Sequence, residues 1–304
     1  MQTHDLGPPP LPYRGRRGHC YADGVGMLLA GHGHAVPTEH VEILTGIGVG
    51  ATLHPDGALT LSQVSPDTGI DRALNRLGFV VQVERDGSGA DSWRRLAELL
   101  PHGPVLLGPL TLAALPYHTG RVPADTQRYV VGYAVEGDHL LLHDPGGYPH
   151  ASVHRDPLLT AWRAERIRFR RGRNQMWHSP QRLGAGPPLA EAAMAGFRAD
   201  HACAARAPWP VGAAAIRAGA DILSDQNATR LARFELPLAA ARAELLAEFF
   251  HGHGRQGTAQ VCERKARVCG QAYWAWARGD RPEFTSLLRL LARLEDELTT
   301  DLLD

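Results

Sequence analysis

The sequence predicts an α+β fold in which a mixed front half with a central antiparallel sheet is followed by an all-helical region. The strand-like runs, such as Phe79–Val83, all precede residue 180, where the character of the chain changes. Two of them, Tyr129–Val135 and His139–His143, are separated by a short glycine-containing turn that is typical of an antiparallel hairpin. The chain after Gly184–Pro188 is rich in Ala, Leu and Arg at helical spacing.

Composition narrows the class of protein. The chain has 304 residues, enough for one large domain or two ordinary ones, and its 44% hydrophobic and 21% charged residues are typical of a globular protein. The formal net charge is zero, so we expect neither a nucleic acid nor a membrane as partner. Met1–Pro12 lacks the apolar core of a secretory signal, and no apolar run is long enough to span a bilayer. A cytoplasmic protein is therefore expected.

Residues 1–17 contain four prolines and are predicted to form an extended N-terminal arm. Residues 18–180 are predicted as the mixed domain, which opens with a buried helix because Val25, Leu28 and Leu29 follow Cys20 at helical spacing. Other elements predicted here are helices over Glu39–Leu44, Asp67–Leu77, Asp91–Leu100 and Leu158–Arg166, and strands over Phe79–Val83 and Pro104–Gly108.

Residues 181–304 are predicted as the helical domain, with long helices over Leu238–Phe250, Cys262–Trp276 and Phe284–Leu298. Two of the four cysteines, Cys262 and Cys269, lie two turns apart on one of these helices. No histidine or aspartate completes a zinc ligand set at the usual spacing, so they are interpreted as small core residues. We expect no metal and no organic cofactor.

Two segments of the sequence together indicate the chemistry of a thiol enzyme. Gly18-His19-Cys20 runs directly into the first predicted helix, and the second strand of the hairpin ends in Asp144-Pro145. A cysteine at the start of a buried helix, followed later by such strands, is the layout of papain-like thiol enzymes. Those enzymes place a histidine at the start of the first hairpin strand, where this chain has Arg128.

The chain resembles the butirosin biosynthesis acyltransferase family, whose N-terminal half is papain-like and related in architecture to C39-type cysteine peptidases. The resemblance extends over most of the chain. It rests on Gly18–Cys20, Gly103–Leu110, Leu115–Tyr117, Tyr129–Val131, His143–Pro149 and Ala161–Ile167, and in the back half on Gly257–Ala259, Lys265-Ala266 and Tyr273–Ala275.

The resemblance implies transfer of an acyl group from a carrier-protein thioester to an amine, through an acyl-cysteine intermediate. It implies that Cys20 is the nucleophile and that Asp144 orients the base. The implied base is missing, because position 128 holds arginine. His118, His143 or the amine substrate itself is the alternative source of a base.

Elementary chemistry leaves the activity open. A helix N-terminus and a nearby cation both lower the pKa of a thiol, and Cys20 stands at a predicted helix start. Arg128 can stabilise a thiolate but cannot shuttle a proton, because a guanidinium group stays protonated. Each of these residues also has a purely structural interpretation. Cys20 is then a small buried residue, Asp144 ends a strand, and Arg128 pairs with Asp144 across the sheet.

Two functions follow as hypotheses. The first is a cysteine-dependent acyltransferase, or thioester or amide hydrolase, of a natural-product (antibiotic) biosynthetic pathway, acting on a carrier-protein thioester and a small-molecule amine. The second is a catalytically degenerate papain-like scaffold subunit that binds and stabilises a partner biosynthetic enzyme in a heteromeric complex. Arg128 in the place of the base motivates the second hypothesis.

Overall fold

The computed structural model describes residues 11–15, 18–120, 122–167, 170–184 and 186–303. Of the predicted N-terminal arm, residues 1–10, 16 and 17 lie outside this described part. The helices are α1 (Cys20–Gly31), α2 (Thr38–Thr45), α3 (Pro66–Arg76), α4 (Gly89–Leu99), α5 (Arg155–Trp162), α6 (Leu189–Ala204), α7 (Gly212–Ile222), α8 (Asp225–Arg230), α9 (Leu236–Gly252), α10 (Gln256–Ala277) and α11 (Arg281–Leu303). The strands are β1 (Thr52–Leu53), β2 (Leu59–Thr60), β3 (Phe79–Glu84), β4 (Val105–Thr111), β5 (Gln127–Glu136), β6 (His139–Asp144), β7 (Tyr148–His154) and β8 (Met176–Arg182).

The chain forms two compact units. The first contains the described residues within 1–41 and 77–185, and the second those within 42–76 and 186–304. The continuous domain expected over residues 18–180 is therefore interrupted, because residues 42–76 group with the helical region. Within the second unit, Glu295 accepts a hydrogen bond from the Gly50 amide at 2.6 Å and binds the buried Lys265 amine at 2.6 Å. Such contacts between distant positions leave no periodic signal in the sequence.

The first unit is built on a six-stranded sheet in the order β3-β8-β4-β5-β6-β7, in which every neighbouring pair is antiparallel. The predicted α+β class, with an antiparallel sheet followed by a helical region, is confirmed. The hairpin is also confirmed: β5 ends at Glu136, β6 begins at His139, and Gly137 takes a positive φ of 58° at the turn. A left-handed residue in such a turn favours glycine because glycine has no Cβ.

Helix α1 lies directly against this sheet. A Cβ added at Gly24 would come within 2.6 Å of Leu106 Cδ1, so glycine permits the helix to approach strand β4 closely. The facing side chains Leu106 and Val131 are fully buried. This close approach places the first residue of α1, Cys20, beside the strands that carry the other predicted site residues.

The second unit consists mainly of helices, with the short β1–β2 pair among them. Helices α9, α10 and α11 are the longest, and Leu246, Cys262, Cys269 and Leu291 are buried on them. In the described part of the chain, no helix combines the length and apolar character needed to cross a bilayer.

Candidate thiol site

Cys20 is the first residue of α1 and is 8% exposed. Its sulfur is hydrogen-bonded by the Arg128 guanidinium group and by the Tyr129 backbone N–H. The thiol is thus held at the junction of a helix start and strand β5, because α1 packs closely on the sheet. The structure brings Cys20 and Arg128 into direct contact, as the sequence interpretation requires.

Arg128 lies between the sulfur and the Asp144 carboxylate. Its Nε is 3.5 Å from Asp144 Oδ1 in an ion pair, and the Asp144 side chain is fully buried. Gly146 closes over the guanidinium group: a Cβ there would lie 2.5 Å from Arg128 Nη1. The arginine that stands in the place of the expected base therefore bridges the thiol and the carboxylate.

The Asp144 carboxylate has further partners. Oδ1 accepts from the Gly146 amide at 2.7 Å, and Oδ2 accepts from the Tyr117 hydroxyl at 3.1 Å. The Tyr13 hydroxyl donates to the Asp144 carbonyl at 3.2 Å and accepts from the Gly147 amide at 3.1 Å. Sequence reasoning did not assign Tyr13 and Tyr117 to the site. Tyr117 lies in a motif of the stated resemblance, which is the signal that was available.

Electrostatics at the site do not favour a thiolate. Burial raises the pKa of Cys20 above its ordinary value, although Arg128 and the Tyr129 amide oppose the rise. Burial also raises the pKa of Asp144, against the opposing effects of Arg128 and the Gly146 amide. A carboxyl group is ordinarily several units more acidic than a thiol, so Asp144 gives up its proton first and neutralises Arg128. The Cys20 thiol is then left protonated near neutral pH.

His118 lies on the Asp144 side of the site. Its charge acts to lower the pKa of Asp144, and its ring centroid is 6.1 Å from that of Tyr148. Its Nδ1 atom is buried and has no hydrogen-bond partner among the described residues. His118 thus contacts Tyr148 and acts on Asp144 through its charge, and its role as a base for Cys20 stays a proposal.

His143 is not available as a base, so this alternative does not hold. Its Nδ1 accepts from the His150 amide at 3.0 Å, and its Nε2 lies 2.7 Å from the Leu11 carbonyl, to which it donates. Burial lowers the pKa of His143, which fits a neutral ring with both nitrogens engaged. His143 instead joins β6 to the segment Leu11–Gly15.

The remaining cysteines lie elsewhere. Cys262 and Cys269 are buried in the second unit, and burial raises the pKa of each to about 12. Cys203 is exposed. Among the residues that the structure describes, no group of three His, Cys, Asp or Glu side chains is arranged to hold a metal ion.

Comparison with known proteins matches the chain to a family model and to one uncharacterized protein. Residues 206–303 match the model of the YobF C-terminal domain. The uncharacterized protein YobF of Bacillus subtilis (strain 168) is 35% identical over 175 residues, which cover 57% of this chain and 57% of YobF. The chain thus spans little more than half the length of this curated relative. The family-model match lies in the helical region, and neither match carries an activity.

Comparison with solved structures matches part of the chain to the peptidase domain of another protein. The peptidase domain of Streptococcus ComA, a bifunctional ABC transporter involved in a quorum-sensing pathway, matches 57% of this chain and 98% of its own length, with 13% identity and a TM-score of 0.37. A TM-score of this size does not establish a common fold. The resemblance to the butirosin biosynthesis acyltransferase family is not confirmed by these matches.

Proposed function

We propose that the first unit is a papain-like thiol domain whose Cys20 site has no turnover, and that it serves as a scaffold that binds and stabilises a partner biosynthetic enzyme. The contact of Arg128 with both the Cys20 sulfur and the Asp144 carboxylate carries the proposal. A guanidinium group cannot accept the thiol proton. General acid–base assistance contributes roughly 10²–10⁴ to the rate, and this geometry lacks it.

The state of the thiol supports the same function. Only a thiolate is an effective nucleophile, and burial raises the pKa of Cys20. Asp144 neutralises the cation that would otherwise stabilise the thiolate. The three side chains then serve as a buried ion-paired joint between α1 and strands β5 and β6.

An exposed aromatic surface on α10 supports partner binding. Trp274 is 59% exposed and Tyr273 is 40% exposed, and the Arg278 guanidinium carbon lies 5.9 Å from the centroid of the Trp274 ring. Exposed Trp, Tyr and Arg side chains often contribute most of the binding energy at interfaces. Arg267 lines the same groove and forms no ion pair within the described part of the chain. Glu283 also lines the groove and forms an ion pair with Arg278, so Arg267 is the group that favours a partner with a carboxylate beside an apolar anchor.

Alkylation of Cys20 tests the state of the thiol. Cys203→Ser removes the exposed competing thiol, and the rate of iodoacetamide labelling is then followed against pH by intact mass. We expect an apparent pKa for Cys20 above the ordinary value of about 8.5. We expect Arg128→His, which supplies an imidazole beside Asp144, to increase labelling near neutral pH at least tenfold. Rapid wild-type labelling near neutral pH, with a depressed pKa, would contradict the proposal.

Association with a partner is tested by co-expression with the proteins encoded next to this one, followed by size-exclusion chromatography with light scattering. A stable complex is expected that survives Cys20→Ala and is weakened at least tenfold by Trp274→Ala. Trp209→Ala is the matched control, because Trp209 is also an exposed tryptophan of the second unit. Equal weakening by both substitutions would count against the α10 surface, and a requirement for the Cys20 thiol would count against the scaffold.

One observation favours the acyltransferase or hydrolase as a second candidate. The His118 Nδ1 atom is buried and has no hydrogen-bond partner among the described residues, so this imidazole nitrogen is not committed to another group. Acylation is tested by incubating the full chain with carrier-protein thioesters and recording intact mass. A covalent acyl adduct that disappears in Cys20→Ala and slows at least tenfold in His118→Ala would establish this candidate over the scaffold. The absence of an adduct with every thioester would exclude it.

A further inference from the structure

A second series of hydrogen-bonded side chains lies on the β3–β8 pair of the first unit. The Ser179 Oγ atom is 3.0 Å from His178 Nδ1, and His178 Nε2 is 3.0 Å from Glu84 Oε1. Strand β8 is separated from β5, the strand of Arg128, by β4. The thiol site uses none of these three residues.

A β-bulge produces this arrangement. Val80 pairs with Gln181 and Gln82 pairs with His178, so Ser179 and Pro180 together face the single residue Val81. Ser179 has a φ of +49°, in the left-handed region that non-glycine residues seldom adopt. In a regular strand, residues 178 and 179 would point to opposite faces of the sheet. Bulges redirect side chains and are frequent beside active sites, where strained backbone also concentrates.

The imidazole is suited to accept a proton from Ser179. Its Nε2 faces a carboxylate and therefore carries the hydrogen, which leaves the Nδ1 lone pair directed at the hydroxyl group. The His178 side chain is 5% exposed, and burial lowers its pKa, so the ring is neutral near neutral pH. Arg95 Nε holds the same Glu84 oxygen at 2.9 Å and fixes the carboxylate.

We propose that Ser179, His178 and Glu84 form a second site, a serine-nucleophile centre that hydrolyses small uncharged carboxylic esters. A nucleophile hydrogen-bonded to a base, which is oriented by a third group, is the general signature of such a centre. Val80 flanks the bulge, is 43% exposed and offers an apolar contact to a short acyl chain. The exposed Gln82, cross-strand from His178, supplies an amide N–H donor for the ester carbonyl oxygen.

The reaction balances with water as the co-substrate. Ser179 Oγ bonds to the ester carbonyl carbon as its proton passes to His178 Nδ1, and Glu84 stabilises the resulting imidazolium. The bond to the leaving alkoxide breaks, and the alkoxide takes the proton from Nδ1. Water then gives a proton to Nδ1 as its oxygen bonds to the acyl carbon. The bond from that carbon to Ser179 Oγ breaks, and Oγ takes the proton back from Nδ1, which releases a carboxylic acid and restores the serine hydroxyl.

Labelling with a fluorophosphonate probe tests this proposal on the full chain. The Cys20→Ala/Cys203→Ser background separates the outcome from that of the thiol site. We expect phosphonylation at Ser179, located by peptide mass mapping, and its loss in Ser179→Ala. The exposed Ser152 on β7 provides the matched control, because Ser152→Ala should leave labelling unchanged. Hydrolysis of 4-nitrophenyl acetate should fall at least tenfold in Ser179→Ala.

The role of the base is tested with His178→Gln and Glu84→Gln, each checked for folding by thermal unfolding. We expect labelling of Ser179 to slow at least tenfold in the first variant and severalfold in the second. If His178→Gln does not fold, the labelling of Glu84→Gln and Ser179→Ala tests the proposed site. Equal labelling of wild type and Ser179→Ala, or undiminished labelling in Glu84→Gln, would show that the contact only stabilises the bulge.

Discussion

Arg128 determines which proton transfers are open to Cys20. The sequence shows that a guanidinium group replaces the expected imidazole at this position. The structure adds that this group contacts both the thiol and the carboxylate, beneath Gly146. One cation shared by two acidic groups stabilises the more acidic one, which leaves the thiol neutral. The cation beside the thiol is therefore committed to Asp144.

Removal of this cation tests the joint directly. Arg128→Met leaves the buried Asp144 carboxylate without its counter-ion, which is expected to lower the free energy of unfolding by about 3–5 kcal/mol. The double variant Arg128→Met/Asp144→Asn should recover part of this loss, because the uncompensated charge is removed. Urea denaturation followed by circular dichroism measures both. Equal stability of wild type and Arg128→Met would show that the pair does not stabilise the fold.

His143 gives the fold a dependence on pH. Burial holds its pKa below the ordinary value of about 6.5, so the unfolded chain binds this proton more readily than the folded chain. The stability that the neutral ring contributes is complete above about pH 6.5 and is lost as the pH falls through the lowered folded pKa. Protonation of Nδ1 also breaks the hydrogen bond from the His150 amide.

The expected result is a loss of stability in acid that depends on this one residue. Wild type should exceed His143→Gln in free energy of unfolding by more at about pH 7.5 than at about pH 5. Urea denaturation at both pH values measures the two differences. A constant difference between the two proteins would mean that His143 titrates normally in the folded state.

At the scale of elements, helices α1–α5 and α9–α11 and strands β3–β6 were predicted, because each has a periodic or continuous apolar pattern, whereas α6, α7 and α8 were not predicted individually. Predicted helix Asp67–Leu77 corresponds to α3, and predicted strand Phe79–Val83 corresponds to β3. Strands β1, β2, β7 and β8 were not predicted. β8 contains Pro180, which usually argues against a strand, and a bulge accommodates it here. A bulge is set by cross-strand pairing, which local sequence does not reveal.

Contact between α1 and the sheet depends on one small residue of the helix. Gly24→Ala places a methyl group 2.6 Å from Leu106 Cδ1, so overpacking should cost about 1–3 kcal/mol. Gly270→Ala in α10 is the matched control, because an added Cβ there meets open space and should stabilise the helix by up to about 1 kcal/mol. Thermal unfolding compares the two variants. A neutral Gly24→Ala would mean that α1 can withdraw from β4 without loss.

At the scale of the whole molecule, the chain leaves one unit and returns to it. Residues 42–76 join the helical unit, where the Gly46–Gly50 loop is held by the buried pair of Lys265 and Glu295. Lys265 is the single lysine of the chain, and its side chain is buried. Burial tends to lower the pKa of Lys265, but Glu295 outweighs this effect and raises it, so the amine stays charged. Lys265 is 217 positions from Gly48 in the sequence, and Glu295 is 245 positions from Gly50.

Loss of the buried amine should therefore be costly. Lys265→Met leaves Glu295 buried and unpaired, and we expect it to lower the free energy of unfolding by about 3–5 kcal/mol. Arg264→Met is the control on the neighbouring residue, whose exposed ion pair with Glu297 should contribute less than about 1 kcal/mol. Guanidinium denaturation compares the two. Similar losses in both variants would contradict a special role for the buried pair.

The sequence alone determined the α+β class, the change to helices near residue 180, and the identity of Cys20, Arg128 and Asp144 as a set. The class and the change to helices follow from residue type and from period, which are local properties, whereas the set follows from the resemblance to papain-like enzymes. Only the tertiary structure decided that Arg128 lies between the thiol and the carboxylate, that both nitrogens of His143 are engaged, and that Ser179 turns toward His178. Each depends on packing between distant segments, which fixes burial, charge sharing and side-chain direction in ways that no local pattern encodes.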